Sequence, residues 1–390
     1  MEREAEYLAE LVLAGLEERK AAPVPEEIAV ETIVKISAEN HMNALLLGSL
    51  LGTEGLSQDR KEELRNKVMG SMIFTGIQLR ELKTMEERME RAKIPCQFLK
   101  GARMKFYYPT PFLREMSDID VLIHGDFMEQ AAAEMERMGY VLQQKIKHHD
   151  IYRKEPGIVV ELHRSMYDRT VDEKQYAYFS DLSRAVRRKG SLYLYDFEPE
   201  DFYIYMMAHM AKHFYKRGCG IRNLVDIYVF RKQFGSTMDE SYLKKQFASL
   251  GLSAFAEHME KLTGIWLMGE EGDVFYQQLF DYMAGCGIYG KDENGIWNRF
   301  CEEASGVGKG RSALKRWYHF PPYDYMVVYY PWLEKRTCGK LLLPAAWMIR
   351  AVRGVVCGRG KYKREMLQRI EEEQIPVRQD IYRRLQLRFR

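Results

Sequence analysis

The pattern of apolar and polar positions divides the chain into regions of different period. Over the first 93 residues, apolar side chains recur with the spacing of one face of an α-helix. The first such set is Tyr7, Leu8, Leu11, Val12 and Leu16. A longer amphipathic segment, rich in Glu, Lys, Arg and Met, extends over residues 58–92. We therefore predict an N-terminal helical region over residues 1–93 that serves as scaffold.

After Pro95 the pattern changes, and short apolar runs bounded by glycine, proline or charged residues replace the helical spacing. Runs of this kind are typical of β-strands. Strands are predicted at residues 96–99, 118–123, 141–146, 150–154 and 158–163, and helices at residues 101–108 and 126–138. Because strands and helices alternate within a short stretch, we expect a small mixed α/β core over residues 94–196.

Helical spacing returns after Glu198. Helices are predicted at residues 202–215, 221–234 and 341–356. They indicate a helical domain over residues 197–305 and a basic, mostly helical region over residues 306–390. The predicted fold class is therefore α+β, with a small mixed β-sheet core flanked by N- and C-terminal helical regions.

Two pairs of polar residues in these helices are spaced four positions apart, so the members of each pair lie on the same helix face. Asp226 follows Arg222 by four residues, so an intrahelical ion pair is the simplest explanation. His209 and His213 have the same spacing and share a helix face. The pair lacks the glutamate of a zinc-protease motif. The two histidines would face the pocket across the domain interface, but packing at the core or interface is the simpler explanation for them.

Composition and charge narrow the class of protein. The 390 residues are 46% hydrophobic and 29% charged, and the formal charge of +3 does not indicate a nucleic-acid binder. No apolar run reaches the roughly 18 residues of a membrane-spanning helix, and the acidic N-terminus lacks a signal-peptide pattern. The six cysteines are scattered without a Cys-x-x-Cys pair, so we expect a cytoplasmic protein.

Positive charge is concentrated toward the C-terminal end. Residues 334–390 carry fifteen Lys or Arg against six Asp or Glu. The apolar residues 341–350 precede a basic set that consists of Arg353, Arg359, Lys361, Lys363 and Arg364. This pattern is compatible with an interfacial helix that contacts phosphates, RNA or anionic lipid. Packing of the stripe on its own domain, with a solvated basic face, is the more common explanation.

Two aspartates open the strand predicted at residues 118–123. Residues i and i+2 of a strand point to the same face, so Asp118 and Asp120 are expected to lie side by side. Adjacent carboxylates repel each other unless a cation lies between them, and Mg²⁺ is a natural partner because it binds carboxylate and phosphate oxygens. An Asp-x-Asp pair alone is a weak signal, and a solvated strand explains it equally well.

Neighbouring residues strengthen the metal interpretation. Lys100-Gly101 ends one strand and begins a helix, an arrangement that attracts phosphate through amide groups and the lysine charge. Glu161 lies within an apolar strand, where an unpaired charge is costly. Arg114 lies shortly before the aspartates, where it would reach a phosphate oxygen or form an ion pair with Glu115 or another acid.

Together these residues predict a two-metal site for phosphoryl or nucleotidyl transfer. Asp118 and Asp120 would ligate metal, and Glu161 would either complete the second metal shell or act as general base on the acceptor. His163 lies two residues after Glu161, on the same face of the strand. It would border the pocket, or it would be a histidine at the edge of the core that is hydrogen-bonded to the backbone.

Several segments resemble the uncharacterised nucleotidyltransferase family of the DNA polymerase β-like superfamily. They are FLKG…YYPTPFLREMSDIDVLI…VVELHRSMY, AHMAKHFYKRGCGIRNLVDIYVF and FPP…YPWLEK…LLLPAAW. The resemblance covers most of the chain and is densest over residues 98–230. It implies a polymerase β-type core in which Asp118 and Asp120 bind Mg²⁺ or Mn²⁺ and Glu161 lies on a neighbouring strand.

The chain departs from the superfamily pattern in two places. The phosphate turn usually reads Gly-Ser, whereas Lys100-Gly101 is followed here by Ala102. Lys100 would then replace the missing hydroxyl, or the nucleotide would lie differently. The third carboxylate is Glu161 rather than the more common aspartate, and its longer side chain can still ligate metal.

The leading hypothesis is an enzyme that moves a nucleoside monophosphate from an NTP, with ATP expected, to a hydroxyl acceptor and releases pyrophosphate. The acceptor would be a small molecule or a protein side chain. The alternative is a catalytically inactive nucleotide-binding or interaction protein on the same fold, which the unusual phosphate turn favours. A protein that acts near membranes is a third hypothesis, and it rests on the basic C-terminal region.

Overall fold

A mixed β-sheet surrounded by helices forms the centre of the molecule. The computed structural model describes residues 2–146, 148–169, 173–180, 182–291, 294, 316, 318–334, 338–356 and 374–387. The α+β class predicted from the sequence is confirmed by this architecture.

The N-terminal region is helical. Its elements are α1 (Glu2–Leu16), α2 (Val30–Glu39), a π-helical turn (Asn43–Leu47), α3 (Gly48–Leu51) and α4 (Gln58–Arg91). Helix α4 spans 34 residues and begins where the side chain of Ser57 accepts a hydrogen bond from the amide of Arg60. Leu82, Met85 and Met89 are spaced three or four residues apart and pack on the sheet.

Seven strands form one sheet. They are β1 (Cys96–Phe98), β2 (Ile119–Ile123), β3 (Val141–Lys145), β4 (His149–Lys154), β5 (Ile158–His163), β6 (Ala185–Arg187) and β7 (Leu194–Phe197). Their order is β3-β4-β5-β2-β1-β7-β6. Strand β2 is parallel to β5, β1 is parallel to β7, and the other neighbours are antiparallel. The first five strands agree with the prediction, whereas β6 and β7 are short and were not predicted.

Short helical elements connect the strands. They are α5 (Gly101–Met104), two 3₁₀ turns (Lys105–Tyr107 and Pro111–Leu113), α6 (Met128–Arg137), α7 (Glu173–Phe179) and a third 3₁₀ turn (Leu182–Arg184). The helix predicted at residues 101–108 is thus a single α-helical turn followed by a 3₁₀ turn. Pro109 and Pro111 follow it and prevent its continuation.

Alternation along β2 gives the sheet two different faces. Ile119, Val121 and Ile123 pack against α4 and α6 in one hydrophobic cluster. Leu122 points the other way, into a second cluster that contains residues of the C-terminal helices. Because Asp118 and Asp120 share the face of Leu122, the predicted site lies between the sheet and those helices.

The C-terminal helices are α8 (Pro199–Arg217), α9 (Arg222–Phe234), α10 (Glu240–Leu250), α11 (Ser253–Met268), α12 (Val274–Cys286), α13 (Tyr323–Tyr329), α14 (Leu343–Val356) and α15 (Gln374–Leu385). Pro199 at the first turn of α8 is compatible with helix initiation, because the first turn lacks amide acceptors anyway. None of the helices that the structure describes is both long and apolar enough to cross a membrane.

Among the residues that the structure describes, helix α14 packs through one side. Ala346 is buried in a small cluster with Met326, Tyr330 and Leu333. The exposed apolar side chains on and next to this helix include Leu341, Met348, Val352, Val355 and Val356. The predicted basic residues Arg359, Lys361, Lys363 and Arg364 lie outside the described residues.

Candidate active site

Three carboxylates meet on one face of the sheet. Asp118 immediately precedes β2, Asp120 lies in β2, and Glu161 lies in the parallel neighbour β5. The register places Asp120 opposite Glu161, so both side chains leave the same face. One oxygen atom from each of the three carboxylates lies within 4.8 Å of the others. The structure brings the three predicted metal ligands together, and we call them the acidic cluster.

The two aspartates of the acidic cluster are in different electrostatic environments. Burial and the charge of Asp120 raise the pKa of Asp118 to about 6. Burial also acts to raise the pKa of Asp120, but Lys100 and His163 outweigh it and hold that pKa well below its usual range. Neighbouring positive groups therefore compensate the charge of Asp118 less than that of Asp120. A bound cation would offset the repulsion between the two carboxylates.

His163 contacts the two inner carboxylates. Its Nε2 atom lies 2.7 Å from Oδ1 of Asp120 and 3.3 Å from Oε2 of Glu161. Although burial acts to lower the pKa of His163, these hydrogen bonds raise it. Burial likewise opposes the shift at Glu161, whose pKa is lowered by the hydrogen bond with His163. His163 thus contacts the acidic cluster, and its position at the border of the pocket stays a prediction.

A second histidine, which the sequence analysis did not identify, lies beside this pair. His149 begins β4 opposite His163 in the register, and its Nε2 atom lies 3.6 Å from Oε2 of Glu161. Burial lowers the pKa of His149. No spacing rule connects His149 to Glu161, because the contact depends on antiparallel pairing of β4 with β5.

Lys100 lies at the predicted phosphate turn in an unusual backbone conformation. Its φ of +46° is rare for a residue with a side chain and typically costs about 1–3 kcal/mol. The Nζ atom of Lys100 lies 2.8 Å from Oδ1 of Asp120. Although burial opposes the shift, the charges of Asp120 and Asp118 raise the pKa of Lys100. The lysine therefore remains charged at neutral pH and faces the acidic cluster.

Gly101 is required by close packing. A Cβ atom at this position would lie 2.6 Å from Nη1 of Arg114 and 3.0 Å from Cβ of Met116. The helix that begins at Gly101 has only four residues. Its dipole is therefore weaker than the sequence analysis assumed, and the charge of Lys100 is the stronger attraction for phosphate.

Arg114 has a buried partner. Its Nε and Nη2 atoms donate to the two carboxylate oxygens of Asp226 at 2.9 and 2.8 Å. The hydroxyl of Tyr108 donates to Oδ1 of Asp226 at 2.8 Å. The predicted intrahelical pair between Arg222 and Asp226 is wrong, because Asp226 pairs with Arg114 across the junction of the core and α9. A contact between Arg114 and phosphate stays a prediction. The atom of Arg114 nearest to the predicted phosphate turn is Nη1, which lies next to Gly101.

A cleft of about 130 Å³ lies between the sheet and the C-terminal helices. Lys100, Arg114 and Asp118 line it on the side of the sheet. Its opposite wall includes His209, His213 and Arg222. The cleft therefore presents positive charge next to the acidic cluster.

Burial favours the neutral form of both histidines of α8. Burial lowers the pKa of His213 to about 3 and takes the pKa of His209 well below its ordinary value. Their Nε2 atoms are 2.9 Å apart. They line the cleft and also pack against each other, so both explanations offered from the sequence describe part of their environment.

A second group of buried charge consists of Lys105, Arg114 and Arg222, which we call the basic cluster. Burial, followed by the charges of Arg114 and Arg222, lowers the pKa of Lys105 to about 7. Burial and Arg114 lower the pKa of Arg222 to about 10. Nζ of Lys105 and Nε of Arg222 have no hydrogen-bond partner among the described residues. Of the two, Arg222 lines the cleft, where its Nε, unpaired among the described residues, favours an anion, whereas Lys105 is fully buried.

Tyr205 is another residue that the sequence analysis missed. It is buried on α8, and after burial the charges of Asp120 and Asp118 contribute most to raising its pKa. The tyrosine therefore lies near the acidic cluster. Tyr205, His209 and His213 recur every four residues, and this helical spacing is the signal that could have identified Tyr205.

The acidic cluster fits a hard divalent cation. Its donors are carboxylate oxygens from three residues, which is the ligand type that Mg²⁺ and Mn²⁺ accept. Burial and the neighbouring charge of Asp120 both disfavour the ionised form of Asp118, and a bound cation would offset both effects. Asp118, Asp120 and Glu161 are thus the residues that could hold such an ion.

The mixed sheet and the helices around it are consistent with a nucleotidyltransferase-like core with helical flanks. The chain belongs to the family described as "Uncharacterised nucleotidyltransferase", whose model matches residues 26–268. One solved structure to which it is similar is described as an antigenic nucleotidyltransferase-like protein from Paracoccidioides brasiliensis. That similarity has 16% identity and a TM-score of 0.31, and it covers 52% of this chain and 94% of the other. A comparison with curated proteins found no significant match.

Proposed function

We propose that this protein is a metal-dependent nucleotidyltransferase that transfers a nucleoside monophosphate from ATP to a hydroxyl group and releases pyrophosphate. The acceptor is a small molecule or a protein side chain. The observation that carries the proposal is the convergence of Asp118, Asp120 and Glu161 beside a cleft lined by cations. Membership of the nucleotidyltransferase family supports the general kind of reaction.

Opposite charges next to one cleft match the two halves of a metal–nucleotide complex. The acidic cluster matches the cation, and Lys100 and Arg222, which line the cleft, match the triphosphate. Arg222 lines the cleft and has a buried Nε atom without a partner among the described residues. A phosphate oxygen would supply the missing acceptor.

The residues of the chain have separable roles in this reaction. Lys100 and Arg222 would hold phosphate oxygens, and His163 keeps Asp120 and Glu161 in their relative positions. A divalent cation bound by the acidic cluster would neutralise charge on the triphosphate and on the attacking oxygen. Glu161 retains both predicted roles, as a ligand or as the base that accepts the proton of the acceptor hydroxyl.

Pyrophosphate release tests this proposal. The protein is incubated with each of the four NTPs, with Mg²⁺, Mn²⁺ or EDTA, beside the double variant Asp118→Asn/Asp120→Asn. We expect release that is fastest with ATP, requires a divalent cation and falls about 1,000-fold or more in the double variant, because two-metal chemistry depends on both ligands. Equal release by the two proteins would contradict the proposal.

A matched control uses an aspartate outside the site. Asp126 is exposed in the turn that follows β2. Asp126→Asn removes the same charge and should leave pyrophosphate release unchanged. Loss of release in this control would indicate a general effect of charge rather than a function of the acidic cluster.

A catalytically inactive nucleotide-binding protein is the second candidate. The contact between Lys100 and Asp120 favours it, because the ammonium group already compensates one of the carboxylates. Thermal-shift titration with magnesium ATP separates the candidates. Stabilisation by the nucleotide without pyrophosphate release supports the inactive protein, whereas stabilisation with release supports the enzyme.

Contact of the C-terminal region with anionic surfaces is a separate proposal. The exposed apolar residues of α14 and the excess of basic residues in the sequence support it. Sedimentation with liposomes that contain phosphatidylserine tests it. Protein that stays entirely in the supernatant would remove the proposal.

A further inference from the structure

Two imidazoles and a carboxylate converge beside the acidic cluster. His149, Glu161 and His163 each offer one ligand atom, and these atoms lie within 4.8 Å of one another. We propose that these three residues form a binding site for a transition metal ion, Zn²⁺ by preference. The site shares Glu161 with the proposed nucleotidyl-transfer site, but it does not require that activity.

Strand pairing creates this arrangement. Glu161 and His163 are i and i+2 in β5, so their side chains share one face of the sheet. His149 in β4 lies opposite His163 in the antiparallel register. The three side chains therefore come from two adjacent strands, whose backbone hydrogen bonds fix their spacing.

The distances from Glu161 to the two imidazoles are close to an edge of a metal coordination polyhedron. Nε2 of His163 lies 3.3 Å from Oε2 of Glu161, and Nε2 of His149 lies 3.6 Å from the same oxygen. Metal–ligand bonds of about 2.0–2.1 Å in a tetrahedron place neighbouring ligands about 3.3 Å apart. The three atoms could therefore ligate one ion with small side-chain adjustments.

Both rings direct the same nitrogen atom toward the carboxylates. The Nε2 atoms contact Glu161, whereas the buried Nδ1 atoms of His149 and His163 have no hydrogen-bond partner among the described residues. The two histidines are 9% and 7% exposed, while the side chain of Glu161 is 22% exposed. An ion can thus enter from the side of Glu161 and reach a largely dry pair of imidazoles.

The ligand types select the ion. Imidazole nitrogen suits Zn²⁺, Co²⁺ and similar ions, whereas Mg²⁺ takes oxygen ligands. The acidic cluster and the histidine site therefore prefer different metals although they share Glu161. Asp120, whose Oδ1 lies 2.7 Å from Nε2 of His163, or a water molecule would supply a fourth ligand.

Titration with Co²⁺ tests the site, because the visible absorption of Co²⁺ reports its ligands. The full-length protein is freed of metal with EDTA and titrated with Co²⁺, and Zn²⁺ is then added. We expect saturable absorption with the intensity of a four- or five-coordinate ion, and its loss when Zn²⁺ displaces Co²⁺. Absence of absorption above that of Co²⁺ in buffer would overturn the proposal.

Two histidine variants assign the ligands. His149→Gln should weaken Co²⁺ binding about 100-fold or more, since even outer-shell partners of a metal contribute 10- to 100-fold. His148→Gln is the matched control, because His148 adjoins His149 in the sequence and in space but does not belong to the proposed site. Equal Co²⁺ affinity in wild type and His149→Gln would overturn the proposal.

A measurement on the wild-type protein covers the case in which His149→Gln does not fold. X-ray absorption of the zinc-loaded protein detects imidazole scattering without any substitution. Two imidazole ligands are expected, and a shell of oxygen atoms alone would overturn the proposal. Asp118→Asn separates this inference from the proposed enzyme function, because it should abolish pyrophosphate release and retain Co²⁺ absorption.

Discussion

Two groups of buried charge adjoin the same cleft, and they differ in sign and in how fully their charges are paired. In the basic cluster, Arg114 is saturated by two hydrogen bonds to Asp226. In the acidic cluster, Lys100 and His163 both contact one oxygen atom of Asp120, and Asp118 has a raised pKa. Removal of one partner from a saturated buried pair destabilises the fold, whereas charges without full compensation favour the binding of a ligand.

The same contrast exists within the basic cluster. Arg114 has an anionic partner, but the buried donors on Lys105 and Arg222 have none among the described residues. We therefore expect substitutions at Arg114 to lower the free energy of unfolding. Substitutions at Lys105 or Arg222 should instead weaken ligand binding, or raise the free energy of unfolding when no ligand is bound.

The largest effect on stability is expected at the saturated pair. Arg114→Met should lower the free energy of unfolding by about 3–5 kcal/mol, because it leaves Asp226 buried without its cation. Urea unfolding monitored by circular dichroism measures the loss. Arg3→Met is the control, since Arg3 pairs with Glu27 at the exposed surface. This variant should cause no measurable change in the free energy of unfolding. Equal stability of both variants would remove the structural role of Arg114.

The opposite sign is expected at Lys105. Lys105→Met should raise the free energy of unfolding near neutral pH by about 1–4 kcal/mol, because it removes a buried cation without a hydrogen-bonded partner. The pKa of Lys105 in the folded state is lowered to about 7. Between that value and the pKa in the unfolded chain, the unfolded state binds more protons, so wild-type stability rises with pH.

The pH dependence makes the Lys105 prediction specific. The advantage of Lys105→Met should be largest below pH 7 and should shrink as the pH rises toward 10. Urea unfolding of both proteins at several pH values measures it. An advantage that is independent of pH would show that packing, and not the buried charge, is responsible.

A smaller gain is expected at the acidic cluster. With EDTA at pH 8, Asp118→Asn should raise the free energy of unfolding by about 1–2 kcal/mol, because it removes a buried charge and its repulsion from Asp120. The pKa of Asp118 in the folded protein is raised to about 6, so the wild-type aspartate takes up a proton as the pH falls through this value. The gain should therefore shrink as the pH falls below 6 and disappear only near the usual pKa of an aspartate, about 4. A loss of stability at pH 8 would contradict the electrostatic contrast.

The smallest effect concerns the turn next to both clusters. Gly101→Ala should lower the free energy of unfolding by about 1 kcal/mol, because the added Cβ displaces the guanidinium group of Arg114. Gly48→Ala is the control, since a Cβ atom at Gly48 would meet no atom within 4 Å. Thermal unfolding of the two variants compares them directly.

The sequence predicted those parts of the site that depend on local spacing. Alternation along one strand was sufficient to place Asp118 and Asp120 on the same face, and the apolar setting of Glu161 indicated a compensated charge. The strands and the long helix α4 could be predicted because their apolar periods are regular. Local regularity did not identify β6 and β7, which have three and four residues.

The contacts that the sequence did not predict are long-range. Arg114 and Asp226 are 112 positions apart, and the closer spacing of Asp226 to Arg222 suggested the wrong partner. His149 reaches Glu161 only through pairing of β4 with β5. Spacing along one element cannot rank partners that different elements bring together, so these contacts required the tertiary structure.

Nucleotide binding with and without metal tests the central claim most directly. Isothermal titration calorimetry with α,β-methylene ATP, which cannot release pyrophosphate, compares wild type with Asp118→Asn/Asp120→Asn in Mg²⁺ and in EDTA. We predict that wild type binds the nucleotide only with Mg²⁺ and that the double variant loses the benefit of the metal. Equal affinity of both proteins, or binding that does not depend on Mg²⁺, would contradict the assignment of the acidic cluster as a metal–triphosphate site.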